Sequence, residues 1–305
     1  MIDGIINIYK EAGMTSHDVV NRIRRMTGIK KVGHTGTLDP DAEGVLAVCL
    51  GKATKAVSLL ADTDKAYDAV VLLGVSTDTF DASGRVTATA DENDVAALSA
   101  DEISAAVSSF NGGYDQIPPL YSAKKVNGRK LYELARAGET ADIAPCFVKI
   151  YDIKINKTRL PRIYLSVSCG SGTYIRSLCN DIGKKLGTGA CMESLVRTRA
   201  CGFDVKDSIR LDEAGELFAA GRLDEKITPV DELFCRLPRC IVKKSAYRLV
   251  INGNKFLNSD IDYGAGGGRQ FPAGERIRVY SHDGGFIGIY EKKNDEYVPV
   301  KIFFA

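Results

Sequence analysis

Three features of the 305-residue chain predict an α+β protein: a mixed, largely antiparallel sheet with flanking helices and a small β-rich domain at the C-terminal end. Strand-like apolar stretches follow one another as hairpins or are broken by single helices, without the regular βαβ alternation of a doubly wound sheet. The helical stretches carry start and stop signals. From about residue 238 the texture changes to short strands punctuated by glycine and asparagine, which puts a boundary near residue 236 and divides the chain into 1–235 and 236–305. That division suits the length, at roughly 150 residues per domain.

Ile5, Ile6 and Ile8 open the chain as a short strand. Thr15 with Asp18 three residues on makes a capping-box start; Val19, Val20, Ile23 and Met26 follow at helical spacing, and Gly28 stops the helix. A glycine-punctuated loop runs from Gly33 to Gly44. A strand over 45–50 and a helix over 53–60 lead into a strand pair, 67–75 and 85–89, joined through Asp81-Ala82-Ser83-Gly84. Ser99 and Glu102 form a second capping box ahead of Ile103, Val107 and Phe110. Residues 111–128 read as an irregular excursion with Pro118, Pro119 and an Asn127-Gly128 turn, followed by a short basic helix ending at Gly138. Strands over 147–155 and 163–168 precede a Gly-Ser-Gly turn and a helix that buries Ile175, Leu178, Cys179, Ile182 and Leu186. Segments 276–280, 286–291 and 298–303 complete the chain as a meander.

With 45% hydrophobic and 26% charged residues, the composition is that of an ordinary globular protein. No apolar run approaches the roughly 18 residues of a membrane span, and the N-terminus lacks the pattern of an export signal, so a cytoplasmic protein is expected. The eight cysteines are scattered without a Cys-x-x-Cys pair, and there are three histidines, which argues against a zinc site and for buried, reduced thiols.

Lys and Arg number 41 against 39 Asp and Glu, a net charge of +2 that by itself does not mark a nucleic-acid binder. The charge is unevenly placed. Residues 19–38 hold five basic side chains and no acid; residues 120–136 hold five against Glu133; residues 236–255 hold six and no acid. Acid concentrates around 91–102 and 212–225. Basic windows masked by acidic helices suit a polyanion partner if they share a face.

The most unusual segment is Gly33-His34-Thr35-Gly36-Thr37-Leu38-Asp39-Pro40-Asp41-Ala42-Glu43-Gly44. A phosphate-cradling loop would end in Gly-Lys-Ser/Thr, which is absent, and three carboxylates would repel phosphate. A calcium loop would need a bidentate Glu where Leu50 stands. The remaining readings are a turn in which Asp39 caps its own backbone, or a rigid turn presenting one carboxylate, with Pro40 fixing the chain and the glycines allowing close approach of a ligand. A glycosidase would require a second carboxylate, for which Asp41 and Glu43 are the nearest candidates.

This segment resembles the catalytic motif of the TruB family of transfer-RNA pseudouridine synthases. Further segments match in family order: Lys10 with Gly13-Met14-Thr15-Ser16, Asp64-Lys65-Ala66-Tyr67, Thr77-Asp78-Thr79, Ile117-Pro118-Pro119-Leu120-Tyr121-Ser122-Ala123, Gly172-Thr173-Tyr174-Ile175-Arg176 and Leu195-Val196-Arg197. The resemblance covers about residues 1–210, and implies the pseudouridine synthase fold followed by a PUA-like RNA-binding domain at 236–305. It implies isomerisation of the uridine at position 55 in the T-loop of tRNA, on a base flipped out of the RNA, without cofactor or metal. Asp39 matches the essential aspartate and Arg176 the arginine paired with it; a guanidinium there is expected to lower the carboxyl pKa. Tyr67 and Tyr174 match the two active-site tyrosines, His34 the residue that fills the space vacated by the base, Leu195 a pocket residue, and Lys10 a motif lysine that either touches RNA or stabilises the loop. The basic excursion 111–138 matches an insertion that closes over RNA, with Lys124, Lys125, Arg129 and Lys130 as RNA contacts. Because related guide-RNA-dependent enzymes lack this insertion and use protein partners, the resemblance implies a monomer that needs no protein partner.

Overall fold

Burial alternates along Lys65–Leu73, where every second side chain is buried, and this strand lies near the middle of a nine-stranded sheet. The computed structural model describes residues 2–122, 124–126, 128–139, 142–264 and 270–303, with the backbone alone for residues 125, 130, 135 and 136. Across the sheet the strands run Ile150–Arg159, Arg162–Cys169, Lys65–Leu73, Ala190–Ala200, Glu43–Leu50, Gly4–Lys10 and Ile227–Thr228. Val32–His34 pairs beside Glu43–Leu50, and Phe203–Asp204 beside Ala190–Ala200. Neighbouring pairs are antiparallel except Ala190–Ala200 with Glu43–Leu50, which meet parallel at Val196 opposite Glu43 and Arg197 opposite Gly44. The sheet is thus mixed and largely antiparallel, as expected.

Local signals set the helix ends. Thr15 and Asp18 satisfy each other's backbone at the start of Ser16–Thr27, and Gly28 closes that helix in the left-handed conformation at φ 71°. Ser99 and Glu102 do the same for Ala100–Ser108. Helix Ile175–Leu186 buries Ile175, Leu178, Cys179 and Ile182 against the sheet. Each buried Ile or Leu contributes about 1.5–3 kcal/mol. On this foundation the first residues of that helix face the catalytic-motif loop.

Three expectations change. The helix expected over 53–60 is a 3₁₀ turn, Gly51–Ala56, running into the short helix Val57–Ala61. Strand Lys65–Leu73 does not pair with the following segment; the short strand Val75–Thr77 does, against Val86–Thr89. Strand Ala190–Ala200, which links the two halves of the sheet, was not expected, because register shifts between Met192 and Ser194 and between Arg197 and Arg199 break its alternation twice.

The C-terminal meander is a five-stranded sheet ordered Arg239–Ile241, Arg276–Tyr280, Phe286–Lys293, Glu296–Ile302 and Phe256–Leu257. Its core includes Phe256, Tyr290 and Tyr297, with the Phe256 and Tyr297 rings stacked at 4.6 Å. Ile289 and Phe303 pack into a second apolar cluster with Val45 and Ala47 of the larger sheet and Ala53 of the 3₁₀ turn that follows it. Six cysteines are buried, whereas Cys146 and Cys235 are exposed. No helix among the described residues is long and apolar enough to cross a membrane.

Candidate active site

Asp39 is held from both sides by its neighbours in sequence. Ser16 pins Leu38 twice, its Oγ donating to the Leu38 carbonyl at 3.1 Å and accepting the Leu38 N–H at 2.8 Å. The Pro40 carbonyl accepts the Gly13 N–H at 3.1 Å and the Lys10 Nζ at 2.9 Å. Lys10 is fully buried, and its ammonium also donates to the carbonyls of Glu11 at 3.0 Å and Met14 at 2.7 Å. All three of its donors are therefore used on main-chain carbonyls, which suits the loop-stabilising one of the two roles expected of Lys10.

The carboxylate of Asp39 meets Arg176 in a two-point grip: Nε to Oδ2 at 2.9 Å and Nη2 to Oδ1 at 3.1 Å. Arg176 comes from the second position of helix Ile175–Leu186 and is buried. Its remaining hydrogen bonds go to the carbonyls of Thr79 at 3.2 Å and Tyr121 at 3.0 Å, and Nη1 lies 3.5 Å from Asp81 Oδ2. The Asp81 side chain accepts from Thr79 Oγ1 at 2.8 Å and from the Ser83 N–H at 3.1 Å, which fixes its direction. The second carboxylate of the site is thus Asp81, not Asp41 or Glu43; Glu43 instead accepts the Tyr9 hydroxyl at 2.8 Å.

Burial raises the Asp39 carboxyl above its ordinary range and outweighs the lowering by Arg176. This reverses the expectation of a depressed pKa. A two-point guanidinium contact fixes orientation, while removal from water penalises the charge by more than one partner returns.

Asp39 opens onto a cleft of about 290 Å³, whose walls include Tyr67, Tyr174, Leu195, Arg176 and Arg197. That is at the small end of the roughly 300–1,000 Å³ usual for small-molecule sites. Tyr67 sits on Lys65–Leu73 directly across from Arg197, and burial pushes its phenol up. Tyr174 caps helix Ile175–Leu186, its N–H donating to Gln116 Oε1 at 2.8 Å and its carbonyl accepting Gln116 Nε2 at 3.0 Å. His34 does not line the cleft; it stands one residue before Thr35, which does. Its Nδ1 is buried with no hydrogen-bond partner, and burial, with Arg197 nearby, lowers its pKa, so the ring is neutral.

Of the basic excursion, Lys124 Nζ lies 2.7 Å from Cys146 Sγ, and the Arg129 fork is taken up by Glu139 at 2.8 and 3.0 Å. The side chains of Lys125 and Lys130, and Ala123 of the proline motif, lie outside the described residues. Tyr121 of this segment touches the site through its carbonyl on Arg176.

The sequence reading gives no role to Asp81 or Arg197. A clue to Asp81 is its Asp-x-Ser-Gly turn just after Thr77-Asp78-Thr79; a clue to Arg197 is a lone charge in an otherwise apolar triplet.

Residues 24–175 match the model of the TruB family pseudouridylate synthase N-terminal domain, and residues 176–235 that of the tRNA pseudouridylate synthase B C-terminal domain. The chain is 44% identical to tRNA pseudouridine synthase B of Lachnoclostridium phytofermentans, over 99% of this chain and 100% of that protein. It is 40% identical to the protein of the same name from Caldanaerobacter subterraneus, over 99% of each. Among solved structures, a Cbf5-Nop10-Gar1 complex matches with TM-score 0.73 at 26% identity, over 98% of this chain and 84% of that one. An H/ACA RNP bound to a substrate RNA containing 2′-deoxyuridine shares the fold at TM-score 0.72 and 24% identity, over 99% of this chain and 85% of that one. The chain belongs to the TruB family of tRNA pseudouridine synthases, the isomerases that convert uridine to pseudouridine in tRNA.

Proposed function

We propose that this enzyme acts on the uridine at position 55 of the T-loop, with Asp39 as its nucleophile or base. The observation that carries the reading is the Arg176 grip, which aims one carboxylate into a nucleoside-sized cleft beside Tyr67, Tyr174 and Leu195. The reaction detaches the base from C1′, turns it and rejoins it through C5; it requires no redox change. A carboxylate must be ionised for any of the three first steps open to it: attack on C1′, attack on C6, or removal of a sugar proton. Arg176 fixes the direction of that attack, and the low-dielectric wall strengthens its hold on developing charge.

Extruding a base from folded RNA forfeits a few kcal/mol of stacking, which a ring on the cleft wall restores. Tyr67 and Tyr174 supply two such rings. His34, by the resemblance, is the residue that enters the gap left in the RNA. Lys124, Lys125, Arg129 and Lys130 serve as phosphate contacts of a clamp over 111–138. Residues 1–235 form the catalytic domain and 236–305 a PUA-like RNA-binding domain. The protein works in the cytoplasm as a monomer, without cofactor, metal or obligatory protein partner.

Carbodiimide mapping of the modified tRNA tests the position. A reverse-transcription stop one nucleotide 3′ of residue 55, lost when residue 55 is cytidine, is expected. A stop elsewhere, with residue 55 unmodified, overturns the assignment.

A further inference from the structure

Arg197 is the largest fully buried side chain among the described residues, 2% exposed, yet it carries a permanent charge. None of its hydrogen bonds among the described residues goes to a carboxylate. Its fork is spent on main-chain carbonyls: Nε on Val45 at 2.7 Å, Nη2 on Gly36 at 3.1 Å and Nη1 on Thr37 at 3.4 Å. A guanidinium buried among carbonyls and the Tyr67 hydroxyl, with no carboxylate on it, is costly, and an apolar side chain would fill the volume without that cost. What an apolar side chain cannot do is hold three oxygens from two separate stretches of chain.

Those stretches bracket Asp39. Gly36 and Thr37 lead into it from one side, and Val45 lies in the strand Glu43–Leu50 that leaves it on the other. Arg197 also faces Tyr67 across paired strands, so both side chains project to the same side of the sheet, and both line the cleft. The approach is close: the parallel contact between the strands brings the Arg197 backbone against Gly44, where a Cβ would lie 2.3 Å from the Arg197 carbonyl oxygen.

We infer that Arg197 is a positioning residue for the isomerisation, a single guanidinium that sets the Asp39 loop and the Tyr67 hydroxyl relative to each other. It touches neither base nor ribose; it fixes the distance between the Asp39 carboxylate and the ring that receives the base. The inference rests on the roles given above to Asp39 and Tyr67.

The test is a double-mutant cycle on the full chain. Tritium release from C5-labelled T-stem-loop RNA is measured for the native enzyme, Arg197→Lys, Tyr67→Phe and the double variant. Lysine keeps the charge and loses the fork. Arg197→Lys is expected to lower kcat about 100-fold, the scale of an ångström-sized misplacement, with KM within about threefold of native. The double variant is expected to fall no further than the worse single variant, because the two residues act as one unit.

Native kcat in Arg197→Lys, a loss confined to KM, or losses that multiply in the double variant would each overturn the inference. If Arg197→Lys does not fold, Arg197→Gln takes its place, with the same outcomes deciding. Asp39→Asn runs alongside: if it stays active, the reading of the site fails, whereas inactive Asp39→Asn with unimpaired Arg197→Lys removes only the role of Arg197.

Discussion

Arg176 holds Asp39 by two parallel contacts, at 2.9 and 3.1 Å, while its Nη1 reaches Asp81 at 3.5 Å. One guanidinium therefore bridges the catalytic-motif loop and the Asp81 turn, and its aim depends on both ends. Asp81→Ala should cut kcat by about 10- to 100-fold with a smaller change in RNA affinity, measured by tritium release and filter binding. Equal losses in both would mean that Asp81 shapes the RNA surface instead.

The raised Asp39 carboxyl has a sign that can be checked. The ionised form is needed, so activity is lost as pH falls through the raised value, and the acid limb should lie above the ordinary Asp value of about 4. Arg176 lowers that value, so in Arg176→Gln the residual activity should show its acid limb at higher pH still. Single-turnover rates across the acid range supply the measurement; a limb that stays put or moves down contradicts the electrostatic role of Arg176.

Gly44 stands at φ 103°, where the parallel strands meet. Alanine there would be strained in backbone and would press on the Arg197 main chain. Gly44→Ala should cost about 2–5 kcal/mol in urea unfolding. A change below about 0.5 kcal/mol would show that the junction yields more easily than its geometry indicates.

Arg129 is occupied by Glu139 in the free protein. Glu139→Gln should tighten RNA binding and steepen its salt dependence, whereas replacing Lys124, Lys125, Arg129 and Lys130 by Ala should weaken binding and flatten the slope by about one unit per lost phosphate contact. Titrations at several salt concentrations decide it. Unchanged slopes would place this segment away from the RNA backbone.

Much of the fold was legible because its signals are local. Thr15, Asp18 and Gly28 bound a helix by satisfying its own end groups, and the segment from Ile175 buries Ile175, Leu178, Cys179 and Ile182 as its spacing predicts, with Leu186 partly buried. Strand Ala190–Ala200 was not legible, since two bulges break its period and its buried Arg197 reads as a surface residue. The motif spacing brought Asp39, Arg176, Tyr67, Tyr174 and Leu195 to one cleft, as the resemblance implies. It could not reveal that Asp81 completes the arginine's surroundings, because that contact spans 95 positions and depends on the Thr79–Ser83 turn. Nor could it give the direction of the Asp39 shift, which is set by burial, or show that the Lys10 amine meets three main-chain carbonyls.

The central claim is that Asp39, aimed by Arg176, carries out the isomerisation. It is tested most directly by tritium release from a C5-labelled T-stem-loop under single-turnover conditions, comparing the native enzyme with Asp39→Asn, which keeps the shape and removes the charge. The account predicts release of one tritium per modified uridine by the native enzyme and none above background by Asp39→Asn, with RNA binding retained. Release by the variant at the native rate, or none by the native enzyme, would contradict it.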